Sequence, residues 1–179
     1  MAGDWVFGYG SLAAEAHDGY VTALAGHRRR WGVAMDNARD LPGYKWYRLC
    51  ASGERPRGVV AFLDVVAGRG AVNGVCLPVD AGELRRLDAR ERNYERVEVT
   101  ELVAEARGRV WAYVGSAAGR ARLAAGLRDG RALVSREYLD DVEDGFRRLG
   151  DEQLAAYRAS TDPPPPGCAV VALERVDLP

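Results

Sequence analysis

The chain is poor in the residues that hold metals and cross-links. It has three cysteines and two histidines in 179 residues. Cys50, Cys76 and Cys168 are odd in number and far apart, and no C-x-x-C occurs, so neither a disulfide framework nor a zinc site is expected. His17 and His27 match no ligand spacing and would need carboxylates to complete a metal site, so no metal and no cofactor are expected. Also missing are an apolar run approaching a membrane span and a basic-then-apolar leader, which points to a cytoplasmic protein without a membrane partner. Neither charge sign dominates. Lys and Arg together number 25 against 26 acids, a formal net charge of −1, which gives no footing for nucleic acid. What remains is enough chain for one domain, residues 1–179, with a real core.

Asp4 to Tyr9 reads as a first strand. Glu15 to Ala25 is polar, contains Gly19 and reads as a loop or short helix. Trp31 to Met35 reads as a strand, preceded by the cluster Arg28-Arg29-Arg30, and turn residues fill Asp36 to Tyr44. Trp46 to Ala51, Gly58 to Val65 and Val72 to Val79 read as three strands joined by turns. Such a succession favours antiparallel pairing in a meander or barrel. Asp80 and Glu83 form a capping-box pair that opens a helix closed by Asn93. Tyr94 to Val103 alternates, with Val97, Val99 and Val103 on one face, as a half-buried strand does. Gly108 to Gly115 is another strand. Ser135 caps a helix with the stripe Leu139, Val142, Phe146 and Leu149, stopped by Gly150. A short helix follows over Glu152 to Ala159. A stiff Pro-rich spacer at 162–167 then leads to a final strand, Ala169 to Arg175.

Two stretches carry chemistry. Val6-Phe7-Gly8-Tyr9-Gly10-Ser11-Leu12 runs a buried strand into a glycine-flanked tyrosine. Glycines there permit close backbone approach, and the N–H groups from Gly10 to Leu12 could bind a carboxylate or a developing oxyanion. The same stretch matches G-x-G-x-x-A, but the chain lacks the strand–helix alternation of a dinucleotide fold. Ser11 is not in a nucleophile elbow and has no evident His–Asp pair, so a turn serine is the simpler reading. The arginine cluster reads as a solvated strand edge. In the second stretch, Leu84, Leu87 and Glu91 are spaced i, i+3, i+7. That puts the Glu91 carboxylate on the apolar helix face, where a carboxylate is either a surface ion-pair partner or a functional group.

Phe7-Gly8-Tyr9-Gly10-Ser11-Leu12 and Leu87-Asp88-Ala89-Arg90-Glu91-Arg92-Asn93-Tyr94, with Val72 to Val75 before the helix and Ser135-Arg136-Glu137-Tyr138-Leu139 late in the chain, resemble the γ-glutamylcyclotransferase-like family. The resemblance implies an α+β fold, a small mixed β-barrel with peripheral helices. It implies that Tyr9, Gly10, Ser11 and Leu12 bind a small-molecule γ-glutamyl substrate and that Glu91 is the general acid/base. Tyr94, Tyr113 and Tyr138 are implied as walls or hydrogen-bonding groups. Two regions depart from the best-known subgroups, Arg28 to Tyr47 and the four-proline tail, and both bear on the substrate.

The reaction so implied is closure of a γ-glutamyl amide to 5-oxoproline with release of an amine, needing no cofactor. A non-catalytic binding module of the same fold and a small all-β ligand-binding barrel are the competing readings.

Overall fold

The computed structural model describes residues 3–15 and 18–178, and His17 lies outside the described residues. In chain order the elements are β1 (Asp4–Gly8), α1 (Ser11–Ala14), β2 (Tyr20–Asp36), β3 (Lys45–Leu49), β4 (Val59–Val79), α2 (Ala81–Arg90), β5 (Tyr94–Glu98), β6 (Arg109–Gly115), α3 (Ala117–Arg128), β7 (Ala132–Ser135), α4 (Arg136–Arg148), α5 (Asp151–Ser160), β8 (Cys168–Val171) and β9 (Leu173–Asp177). The main sheet runs β5-β6-β1-β4-β7-β8, with β2 pairing along β4, and β3 and β9 form a separate two-stranded ribbon. The expected mixed β-structure with peripheral helices is present, but the pairings among the described residues leave β5 and β8 as ends and close no barrel. The pairing is not a simple antiparallel meander either: β1–β6, β4–β7 and β7–β8 are parallel.

β2 and β4 organise the sheet. They pair antiparallel from Tyr20↔Cys76 to Asp36↔Val59, with irregularities between Ala25 and His27 and between Trp31 and Val33. Two expectations are corrected here. The supposed loop before Ala25 is strand from Tyr20 onward, and Gly19 is glycine because a Cβ would lie 2.4 Å from Val75 and 2.6 Å from the Cys76 carbonyl. The turn expected between Val65 and Val72 is a bulge within one strand of 21 residues. Gly26 (φ 66°) and Gly70 (φ 98°) take positive φ there, so the long ladder bends without ending.

The arginine cluster is not a solvated edge. Arg29 is 0% exposed, and its guanidinium lies against the stacked rings of Phe146 and Tyr157, 5.0 and 4.6 Å from their centres. It donates to Thr161 Oγ1 (2.8 Å) and to the Asn73 carbonyl (2.5 Å), tying the end of α5 to β4. Arg28 does lie at the surface, where it pairs with Asp162.

The expected strand from Tyr94 to Val103 stops at Glu98, and a 3₁₀ turn, Thr100–Leu102, follows. That turn breaks the alternation, so Val97 is 43% exposed while Val99 and Val103 are buried. α3 has only a weak apolar pattern and was not anticipated. Its Gly119 and Gly126 let it sit directly against Asn93 and Val59. The expected final strand is two, β8 and β9, which part at Ala172 into different sheets.

On the edge of β4 away from β2, β1 pairs with Val75–Val79 and β7 with Val59 and Val60. Among the described residues no strand pairs with the stretch 61–74 on that edge. Tyr94 crosses this gap, its hydroxyl donating to the Leu63 carbonyl at 2.7 Å. The candidate site opens at this gap. Among the described residues no helix is long and apolar enough to cross a membrane.

Candidate active site

The site has an inner recess and an outer cavity. The inner recess is lined by Phe7, Tyr9, Gly10, Ser11, Leu12, Leu63, Glu91, Tyr94, Tyr113 and Tyr138. All eight residues singled out in the sequence therefore meet in one place. The recess is narrow because β1 delivers the chain into α1 in two residues. A Cβ on Gly8 would lie 2.8 Å from the Ala13 nitrogen, so the strand can turn back on the helix only through glycine. A Cβ on Gly10 would lie 3.1 Å from the Tyr138 hydroxyl, so this glycine brings bare backbone to the wall. The first bond of α1 runs from the Ala13 N–H to the Gly10 carbonyl (3.0 Å), which leaves the N–H groups of Ser11 and Leu12 ahead of it without helical partners.

The tyrosines divide by what their hydroxyls do. Tyr9 donates to the Tyr113 carbonyl at 2.6 Å, and Tyr113 donates to Asp88 at 2.8 Å. With Tyr94 already bonded to Leu63, Tyr138 is the one whose hydroxyl faces Gly10 across the recess. Burial pushes all four phenols above their ordinary value, so they are neutral donors and not bases at neutral pH.

Glu91 lines both compartments. The capping box holds as expected, Glu83 N–H to Asp80 at 2.8 Å and Asp80 N–H to Glu83 at 2.7 Å. The helix ends two residues sooner than expected, at Arg90, so Glu91 is its C-terminal cap and not an interior residue. Its N–H still bonds the Leu87 carbonyl at 2.8 Å, which keeps the side chain turned inward; that side chain is 16% exposed. Burial raises the Glu91 carboxyl above the usual carboxylate range, against the pull of Arg90 and Lys45, while Glu15 adds to the rise. Arg90 lies 3.2 Å from Glu91 but is also gripped by both oxygens of Glu15, at 3.0 and 2.9 Å.

The outer cavity, about 200 Å³, contains residues that the sequence reading missed: Tyr44, Lys45, Asn93, Arg175 and Asp177. Tyr44 and Lys45 come from the Arg28–Tyr47 region that departs from the family's pattern, Arg175 and Asp177 from the strand after the proline run, and Asn93 from the Leu87–Tyr94 motif itself. β3 and β9 pair from Lys45↔Asp177 to Leu49↔Leu173, and the ribbon so formed walls the cavity. It is fixed to the body by Asn93, which donates to the Tyr44 hydroxyl at 3.0 Å, and its ladder continues one step further through the Leu178 N–H on the Tyr44 carbonyl at 2.7 Å. One signal in the sequence could have found Lys45, which is the single lysine of the 179 residues among 25 basic ones.

A family model, "Gamma-glutamyl cyclotransferase, AIG2-like", matches residues 6–130, and the chain belongs to that family. The match ends before β7, α4, α5, β8 and β9. Solved structures agree in fold. YkqA from Bacillus subtilis superposes with a TM-score of 0.59 at 14% identity over 89% of this chain, which spans 54% of that one. A glutathione-specific γ-glutamyl cyclotransferase from yeast has a TM-score of 0.53 at 18% identity, covering 89% of this chain and 96% of its own. The protein loc79017 from Homo sapiens has a TM-score of 0.53 at 15% identity, covering 93% and 91%. No curated protein matches the sequence.

Proposed function

We propose that this protein is a γ-glutamyl cyclotransferase, a single domain over residues 1–179 that closes the glutamyl part of a small γ-glutamyl amide to 5-oxoproline and releases the amine. One observation carries the reading. Glu91 lines both the recess and the outer cavity, sharing the recess with the Gly10–Leu12 backbone, and burial raises its pKa toward that of the amine it would deprotonate.

In this scheme the glutamyl group curls in the recess and its amine faces its own side-chain carbonyl. Holding the chain in that curl supplies effective molarity. Glu91 takes a proton from the α-ammonium, and the freed nitrogen attacks the carbonyl carbon. The oxyanion accepts hydrogen bonds from the Ser11 and Leu12 N–H groups or from the Tyr138 hydroxyl. The amide C–N bond breaks as Glu91 returns the proton to the departing nitrogen. Over the whole reaction the ammonium nitrogen loses two protons and the leaving nitrogen gains two, so the carboxylate ends as it began.

The test is Glu91→Gln, which keeps size and hydrogen-bonding reach but cannot carry the proton. Release of 5-oxoproline should fall about 10²-fold or more, while Glu95→Gln and Glu98→Gln, both exposed, stay near the parent rate. Unchanged turnover in Glu91→Gln overturns the mechanism. A parent protein that binds γ-glutamyl amides without turning them over would instead be a binding module.

A further inference from the structure

We infer that Lys45 recognises a carboxylate on the leaving amine, so that the substrates are γ-glutamyl amides of α-amino acids or peptides and not of neutral amines. The inference rests on the cyclotransferase reading and deepens it.

Lys45 is the only lysine in a chain whose other cations are all arginine. It is half-buried, and its ammonium lies 4.7 Å from the centre of the Phe62 ring, with Tyr44 and Tyr47 at 5.8 and 6.0 Å. The other cations of this wall are engaged. Arg175 bonds Asp177 at 2.6 Å, and Arg90 is held by Glu15 and Glu91. Among the described residues Lys45 makes no ion pair. A half-buried cation without a carboxylate partner, pointing into a cavity, is set up for an anion that arrives from outside. Burial and the nearby Arg175 bring its pKa down to about 8, so at neutral pH it remains mostly charged.

The position of Lys45 decides which end of the substrate it meets. It lines the outer cavity and does not line the recess, whereas Glu91 lines both. With the reacting carbonyl at Glu91 and the glutamyl group inside, the group on the Lys45 side is the leaving amine. The outer cavity continues into a groove of about 490 Å³ that shares Ser11, Lys45, Arg90, Tyr138 and Arg175 with it, so a peptide can extend beyond the first residue. The ribbon that carries Lys45 is completed by β9, which lies outside the family match.

The experiment compares γ-glutamyl-alanine with γ-glutamyl-ethylamide, which differ only in the carboxylate of the leaving amine, by 5-oxoproline release. Wild type should favour the alanine substrate in kcat/KM by about tenfold or more, the scale of one charge-assisted hydrogen bond. In Lys45→Met that preference should collapse toward one. Equal turnover of the two substrates by wild type overturns the inference whether or not the variant folds. So does a variant that loses both equally, because Lys45 would then serve the glutamyl end. If wild type releases 5-oxoproline from neither, the cyclotransferase reading itself fails, and this inference fails with it.

Discussion

Lys45→Met should make the protein more stable at neutral pH, because the wild-type chain buries a cation beside two other cations. The ordinary lysine value of 10.5 falls to about 8 in the folded protein, chiefly through burial and then through Arg175, with Glu91 opposing. Below pH 8 the ammonium is charged in both states, and the folded state carries the whole desolvation penalty. Between pH 8 and 10.5 the unfolded chain holds a proton that the folded chain lacks, so stability rises with pH across that window. Above it Lys45 is neutral in both states and the penalty is gone. At about 1.4 kcal/mol per pKa unit, the fall sets a ceiling of about 3 kcal/mol. Residual solvent and the cation–π contacts with Phe62, Tyr44 and Tyr47, about 1 kcal/mol together, reduce the net gain to about 1–2 kcal/mol. In a chain of this length that corresponds to about 2–8 °C in Tm. The assay is thermal melting of both proteins from pH 7 to pH 10.5. The variant should melt higher at pH 7, and the gap should close by pH 10.5. A variant that is less stable at pH 7, or a gap that does not narrow, refutes the reasoning. A lysine that costs stability in the free protein is one retained for what it binds.

Gly10→Val should lose at least about tenfold in kcat/KM with far-UV circular dichroism unchanged, since a Cβ there already meets the Tyr138 hydroxyl at 3.1 Å; unchanged affinity for a γ-glutamyl ligand by calorimetry would remove the loop from the site. Asp64→Ala should destabilise by about 3 kcal/mol, because the fully buried carboxylate accepts from the Gly115 N–H at 2.7 Å and pairs with Arg120 at 3.1 Å. A Tm change under about 2 °C in that variant would contradict the value assigned to the buried pair.

Two parts of the inner recess, the glycine-flanked loop and the inward carboxylate, were legible in the sequence because each is local, whereas the three tyrosines Tyr94, Tyr113 and Tyr138 followed only from the family resemblance. Asp80 and Glu83 announce a helix start within four residues, and the spacing from Leu84 to Glu91 points the carboxylate inward, a direction that the cap position keeps through the Glu91 N–H bond to Leu87. The glycines around Tyr9 mark a close backbone approach. The outer wall was not legible, because β3 and β9 come from opposite ends of the chain and meet only through the fold. The turn expected between Val65 and Val72 was misread for a different reason: a glycine-rich break in a strand pattern suits a bulge as well as a turn, and only the partner strand decides between them. Arg29 was misread because composition cannot tell that a charged residue will be buried against Phe146 and Tyr157.

The most direct test of the account is the identity of the product. Wild-type protein incubated with γ-glutamyl-alanine, and the products resolved by mass spectrometry, should yield 5-oxoproline and alanine one to one, with no glutamate. Glutamate in place of 5-oxoproline would mean that water, and not the substrate's own amine, attacks the carbonyl, and would contradict intramolecular cyclisation at Glu91.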